Sequence, residues 1–255
     1  MTTLINFRDF GGSRNVEGRY VREGCLYRSG HLASLARDAS ELMLAMDFDL
    51  VVDLRYFDER TKHVSPWPPA HAERLIYHPS KIGEDAPHLN IMRTAGEGVA
   101  QIDAAYREFY AALPFDANYK PLFANALERM AFRGGRTLIH CSAGKDRTGT
   151  LVALLLSVLG VDDATIVDEY MRSNGAPGME RLREYVREHP TPSGKIWDDA
   201  LVDALIEVKP SYIAAALNAI RERHGSVEGY LRDGGLNASA LERLRGAFLA
   251  DGPDG

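Results

Sequence analysis

Two hydrophobic rhythms run along this chain, one short and one helical. The opening stretches LINFRDFGG (4–12) and YVREGCLYRSG (20–30) alternate apolar with polar positions and end at glycines, which predicts short strands. SLARDASELMLAMDF (34–48) then repeats Leu35, Leu42 and Met46 at helical spacing and leads into DLVVDLR (49–55), where Leu50, Val51 and Val52 read as a short buried strand. The helix-then-strand order recurs. YKPLFANALERMAF (119–132) places Leu122, Phe123, Ala126, Leu127 and Met130 on one face, the turn RGG follows, and TLIHC (137–141) is again strand-like. IDAAYREFYAAL (102–113) predicts an amphipathic helix, whereas the polar, Gly- and Pro-bearing SKIGEDAPHLNIMRTAGEGV (80–99) predicts a mobile loop.

From about Asp162 the pattern is almost wholly helical, divided by Pro177, Pro190, Pro192, Pro210 and the glycines of HGSVEGYLRDGG (224–235). The last helix lies in NASALERLRGAFLA (237–250), capped by Asn237 or Ser239. Two helix–strand units imply parallel strands with helices packed on them. The fold expected is therefore α/β, a three-layer sandwich around a central, mostly parallel sheet, with additional helices near the C-terminus. No linker composition or fixed repeat divides the chain, so residues 1–255 are expected to form a single domain.

Bulk composition narrows the function. With 255 residues, 45% apolar and 26% charged, the chain is long enough for a sizeable core. A net charge of −6 argues against a general nucleic-acid or anionic-membrane surface. Two cysteines make no disulfide framework and point to a reducing compartment. MTTLINFRDFGG does not read as a signal peptide, and TLVALLLSVLGV (150–161) falls short of the roughly 20 residues that span a bilayer. A cytoplasmic protein is expected, with export by a route lacking a cleaved signal left open. The eight histidines show no metal-ligand spacing.

Chemistry concentrates in HCSAGKDRTGT (140–150). A strand, a short turn and a buried apolar helix aim successive backbone N–H groups at one point, an anion site. Cys141 stands there, where a helix N-terminus favours its thiolate. Lys145 and Arg147 lie near the positive end of the helix, a place that disfavours cations by roughly 0.3–1 kcal/mol each unless a bound anion reverses the sign. Arg147 can fork two phosphate oxygens, Gly144 allows an unusual backbone conformation, and the Thr148 hydroxyl can donate to the sulfur.

Cys141 and Arg147 with five residues between them, preceded by His140, resemble the phosphate loop of the protein tyrosine phosphatase superfamily. NFRDFGG, GRYVREGCLYRSGHL, VVDLR and the segment 212–245 resemble, in that order, the bacterial tyrosine and lipid phosphatases whose loop reads His-Cys-x-x-Gly-Lys-Asp-Arg. The likeness covers nearly the whole chain, least so in the Gly-rich stretch after Tyr77. It implies a cysteine-dependent phosphatase that works without metal or other cofactor on a phosphorylated protein or a phosphoinositide.

It also implies roles. Cys141 would attack phosphorus, the Arg147 fork and the backbone N–H groups from Ser142 through Ala143, Gly144 and Lys145 to Arg147 would hold the phosphoryl oxygens, Thr148 would also belong to the substrate site, and Asp146 would supply the leaving-group proton. Asp53, at the end of its strand, is the alternative acid or, more simply, a partner for Arg55 or Arg147. His140 would order the loop from behind. Lys145 could grip a second phosphate. Arg28 and Ser29 line the pocket or merely close a strand. Cys25 reads as a small buried hydrophobe that oxidation could join to Cys141. WPPAHAE (67–73) has no Asp beside its Trp and Pro, so it carries no acid. DDATIVDEYMRSN and IWDDALVDALIEV could cover the site, as helix pairs do in some relatives, or could be ordinary core helices. Two rivals share the loop: a phosphate-binding module without turnover, and a sulfur transferase. A monomer and a dimer fit the sequence equally.

Overall fold

The computed structural model describes residues 4–33, 41, 43–65, 67–78, 87–94, 98–189, 191, 193–194 and 196–252, with side chains of the 87–94 segment from Asn90 onward. Strands β1 (Arg8–Asp9), β2 (Tyr20–Val21), β3 (Leu26–Ser29) and β4 (Leu50–Asp53) come first, followed by α1 (Phe57–Lys62) and β5 (Leu75–Tyr77). Helices α2 (Pro87–Thr94), α3 (Val99–Ala112) and α4 (Tyr119–Arg133) precede β6 (Thr137–His140) and α5 (Asp146–Val158). The rest is α6 (Asp163–Met171), α7 (Glu180–Glu188), α8 (Asp199–Ile206), α9 (Pro210–His224), α10 (Val227–Asp233), α11 (Ala238–Phe248) and β7 (Leu249–Ala250).

The main sheet runs β1-β3-β6-β4-β5, parallel except for the β1–β3 pair, while β2 and β7 pair separately and antiparallel. The alternation of side chains along a strand explains its two faces. Leu50, Val52 and Ile139 enter the large core under the helices, whereas Val51 and Leu138 enter a smaller cluster with Leu32, Met43 and Phe48. Three layers result, of unequal thickness. β6 sits at the centre because TLIH is buried at every position. α5 follows it into the core with every residue but Ser157 buried, so a Leu→Ala change at 151, 154, 155 or 156 would cost about 2–5 kcal/mol.

Local signals explain most boundaries. α4 stops at Gly134, whose φ of +63° suits glycine and releases the chain into β6. Asp162, Asp198, Ser226 and Asn237 each cap a helix by accepting from a backbone amide two or three residues on. Two readings need correction or restriction. The stretch predicted as a loop over 80–99 contains helix α2, since Ile91 buries itself against the core and gives a short amphipathic segment something to pack on. The helix read from Leu35 and Leu42 falls on residues outside those described, although residues 43–45 beside it are helical.

Candidate active site

β3, β4 and β6 are parallel neighbours, so their carboxyl ends border one crevice. Cys141 leaves β6 there, and the chain turns through Ser142–Lys145 before α5 begins at Asp146. Gly144 makes the turn with φ +66°, and a Cβ on it would come within 2.3 Å of the Ser29 carbonyl carbon. Both facts demand glycine. The loop's two kinds of backbone group then have opposite fates. Its carbonyls are taken from outside: Ser142 O accepts from the His31 amide at 2.9 Å, Gly144 O from Asn6 Nδ2 and Arg28 Nη2 at 2.7 Å each, and Lys145 O from the Gly149 amide at 2.8 Å. The amides of Ser142 through Arg147 donate to no acceptor among the described residues. Successive amides left open beside a helix N-terminus await an anion.

Arg147 completes this cradle. Its Nη1 and Nη2 donate to the Glu59 carboxylate at 2.5 and 2.8 Å, and its Cζ lies 5.0 Å over the Tyr56 ring. Glu59 also accepts from the Tyr56 amide at 2.9 Å and from the Ser142 hydroxyl. No loop amide reaches this carboxylate, so Glu59 holds the guanidinium from its end rather than filling the cradle. The side edge is unpaired: Arg147 Nε is buried and has no hydrogen-bond partner among the described residues. A guanidinium has donors enough for a carboxylate on one edge and two phosphate oxygens on the next. Burial pushes the Glu59 carboxyl up, but Arg147, Ser142 and the Tyr56 amide outweigh it and leave its pKa at about 2. Burial opposes the Arg147 charge as well, yet Glu59 carries its pKa well above the ordinary value.

The other predicted residues are placed as follows. Cys141 is free and buried, 2% exposed, beside Arg147 at 1%. Asp146 begins α5 with Oδ1 accepting from the Tyr110 hydroxyl at 2.8 Å, and Tyr110 in turn accepts from Tyr170 at 2.6 Å. The Lys145 ammonium is buried and committed elsewhere, donating to the carbonyls of Leu205 at 3.0 Å and Ile206 at 3.2 Å and to the Tyr106 hydroxyl at 3.3 Å. These carbonyls end α8, where a helix dipole favours a cation, although burial lowers the lysine pKa. The Thr148 hydroxyl is buried and has no described partner, so the expected donation to sulfur is not made here.

Asp53 is buried in a two-pronged pair with Arg55, Oδ1 to Nε at 2.9 Å and Oδ2 to Nη2 at 2.7 Å. Burial opposes its charge, but His140 and Arg55 hold the carboxyl below the usual range. His140 lies 3.7 Å from Asp53 Oδ2 and is fully buried, which brings its pKa down to about 4 despite that carboxylate. Ser29 packs its backbone against Gly144, and its hydroxyl donates to Gly30 O at 2.8 Å. Cys25 cannot pair with Cys141. It precedes Leu26, which is level with Thr137, whereas Cys141 follows at the other end of β6; the separation of roughly 16 Å far exceeds disulfide reach.

Glu59, Asn6 and Glu169 escaped the sequence reading. Glu59 had a signal: an acidic side chain in the first turn of the helix that follows a parallel strand, at the same crevice as the loop. Asn6 had none, because its left-handed backbone (φ +54°) appears only in the fold. Among the described residues no group of three or more His, Cys, Asp or Glu could hold a metal, and no helix is long and apolar enough to cross a membrane.

Comparison with known proteins agrees with this geometry. The model of the tyrosine phosphatase family matches residues 1–250. A Cupriavidus necator protein, named by inference as a tyrosine-protein phosphatase, is 35% identical over 97% of this chain and 87% of its own. The triple specificity protein phosphatase PtpB of Mycobacterium tuberculosis is 30% identical over 96% of both chains, and a tyrosine-protein phosphatase of Nostoc commune is 28% identical over 85% of this chain and 70% of its own. With a family match of that length laid over a cysteine, an arginine and a row of open amides, the chain belongs to the tyrosine phosphatase family.

Proposed function

We propose that this protein hydrolyses phosphate monoesters, phosphotyrosine foremost, by passing the phosphoryl group to Cys141 and then to water. The observation that carries the reading is the split fate of the loop backbone: carbonyls bound from outside, amides from Ser142 to Arg147 left open. In the first step the Cys141 thiolate forms an S–P bond as the ester P–O bond breaks. The departing oxygen takes a proton from Asp146, whose Oδ2 accepts no hydrogen bond among the described residues while Tyr110 holds Oδ1. In the second step water forms a new P–O bond and gives its proton back to Asp146, the S–P bond breaks, and thiolate and inorganic phosphate remain. The equatorial oxygens, more negative and more spread in the transition state, gain most from the open amides and the Nε edge of Arg147.

Asp53 serves this scheme through Arg55 and His140 rather than by proton transfer, because both its oxygens are already engaged by Arg55. Lys145 ties the loop to the end of α8, so a grip on a second phosphate would require that tie to be released first. The test is phosphate release from p-nitrophenyl phosphate with EDTA present. Competitive inhibition by vanadate and loss of turnover in Cys141→Ser are expected; full activity in that variant would overturn the scheme. Because the M. tuberculosis relative is called triple specific, kcat/KM should be compared across phosphotyrosine and phosphoserine peptides and phosphoinositides. Highest values on phosphotyrosine are expected, and a clear preference for another ester would replace the substrate assignment.

A further inference from the structure

Behind the loop, on the side away from Glu59, lies a buried polar assembly that the scheme above does not use. Arg28 is fully buried on β3. Its Nη1 pairs with Glu169 Oε2 at 2.6 Å, and its Nη2 donates to Gly144 O at 2.7 Å. Asn6 donates to the same carbonyl from Nδ2, also at 2.7 Å, and its Oδ1 accepts from Arg8. Arg8 in turn donates from Nε to Glu169 Oε1 at 2.9 Å. One backbone oxygen therefore receives two donors, one of them cationic, drawn from the N-terminal segment and from β3 and anchored by a carboxylate on α6.

We infer that Arg28 and Asn6, braced by Glu169, are positioning residues for catalysis that set the Gly144–Lys145 peptide so that the Lys145 amide points into the phosphate cradle. In a trans peptide the carbonyl and the amide of one unit point in opposite directions. Pulling Gly144 O outward onto Asn6 and Arg28 therefore turns the Lys145 N–H inward. If that peptide turned over, a carbonyl oxygen would face an incoming dianion, and the buried Arg28 Nη2 would lose its closest acceptor. Gly144 needs such a clamp more than its neighbours do. Lacking a Cβ, it meets a low barrier between backbone conformations, and the sequence around it supplies no helix or strand bonding of its own. Arg8 and Arg28 against the single Glu169 also leave a net positive charge beneath the loop, of the sign that favours an anion above it.

The inference rests on the phosphatase reading, and the experiment separates the two. Asn6→Asp, Arg28→Met, Arg28→Lys and Glu169→Gln are compared with wild type for p-nitrophenyl phosphate turnover, vanadate inhibition and inorganic phosphate inhibition, with melting temperature measured alongside. Losing one well-aimed amide donor costs roughly 100-fold in kcat where such losses have been measured. We expect a fall of that order in kcat/KM for Asn6→Asp and Arg28→Met, and a parallel rise in the vanadate constant. Phosphate, tetrahedral like the ground state, should weaken several-fold less. Arg28→Lys should recover part of the loss, because it restores a donor, and Glu169→Gln should lie between. In ¹⁵N–¹H spectra the Lys145 amide should shift on vanadate binding in wild type and barely move in Asn6→Asp.

A drop in melting temperature with unchanged kcat/KM, vanadate constant and Lys145 response would show a merely structural network and overturn the inference. Asn6→Asp and Arg28→Lys still decide the matter should Arg28→Met fail to fold. Wild type that neither turns over nor binds vanadate would instead remove the phosphatase reading underneath.

Discussion

On one side of the loop a carboxylate grips a side chain; on the other a guanidinium grips the backbone. Glu59 holds Arg147, the residue proposed to touch phosphate, and nearly cancels its charge while leaving its buried Nε unpaired. Arg28 and Asn6 hold the Gly144 carbonyl and touch no substrate atom in the scheme. The difference lies in what must be kept still. An arginine has several rotatable bonds, so its direction has to be imposed by a partner. A loop peptide turns about one soft dihedral on each side, and fixing its oxygen fixes its amide. The first device also sets charge, the second mainly direction.

The comparison breaks most severely at Arg147. Arg147→Met removes the phosphate fork and strands the Glu59 carboxylate in a buried place, so two costs coincide. Arginine contributions to phosphoryl transfer run to about 10³–10⁵ in kcat, and loss of one partner of a buried pair costs about 3–5 kcal/mol in stability. We expect activity to fall at least a thousandfold and the melting temperature to fall with it, both read on the purified variant. Arg147→Met with normal stability would mean that Glu59 is not paired as described.

Glu59→Gln is the gentler break. It keeps the shape but weakens the grip, and an unanchored Arg147 should lower kcat/KM by about 10- to 100-fold. Its folded pKa of about 2 lies below the ordinary 4.5. A depressed carboxylate contributes stability that is present above pH 4.5 and lost as pH falls toward 2, on the order of 3 kcal/mol in all. The Gln variant should therefore lose stability at neutral pH and show a flatter acid limb in denaturant melts between those values. An unaltered acid limb would contradict the pairing.

How far the sequence carried these two sides is itself unequal. The central strands, α5 and the Cys141–Arg147 loop were all legible, because their signals are local: four buried residues in a row, a cysteine at a strand end, cations where a helix start should repel them. Glu59 was legible in principle, six residues beyond Asp53. Asn6 and Glu169 were not, since they meet Gly144 and Arg28 only through contacts spanning 138 and 141 residues. The commitment of Lys145 to α8 was hidden for the same reason. Nothing near KDR indicates that carbonyls 60 residues later would claim the ammonium.

A third test concerns the acid at the start of α5, which a chain of hydroxyls holds while the Lys145 ammonium lies 3.7 Å from its Oδ1. Tyr110 donates to Asp146 Oδ1, and Tyr170 donates to Tyr110. Asp146→Ala should slow phenyl phosphate, whose anion leaves poorly, far more than p-nitrophenyl phosphate, whose anion leaves unaided. Equal losses would move the proton-donor role away from Asp146. Tyr110→Phe frees the carboxyl to turn, and a several-fold loss confined to the poor leaving group is expected from the same pair of assays.

The smallest effect sharpens the contrast between groups that are paired and groups that are merely enclosed. His140 is buried among Asp53, Arg55 and Arg147, and burial outweighs the nearby carboxylate to bring its pKa to about 4 against an ordinary 6.5. The unfolded chain therefore takes up this proton before the folded one does. The stability that neutral His140 contributes is complete above about pH 6.5 and declines as pH falls toward 4, by up to about 3 kcal/mol. This window lies above that of Glu59, so the two can be told apart in one titration. His140→Asn should reduce the melting-temperature decline between pH 7 and 5, a window that His31 and His78 share with pKa values also brought down to about 4, and leave the steeper fall below pH 4.5 in place. If the decline from pH 7 to 5 is unchanged in His140→Asn, the histidine is not held neutral behind the loop, and acid sensitivity there belongs to another group.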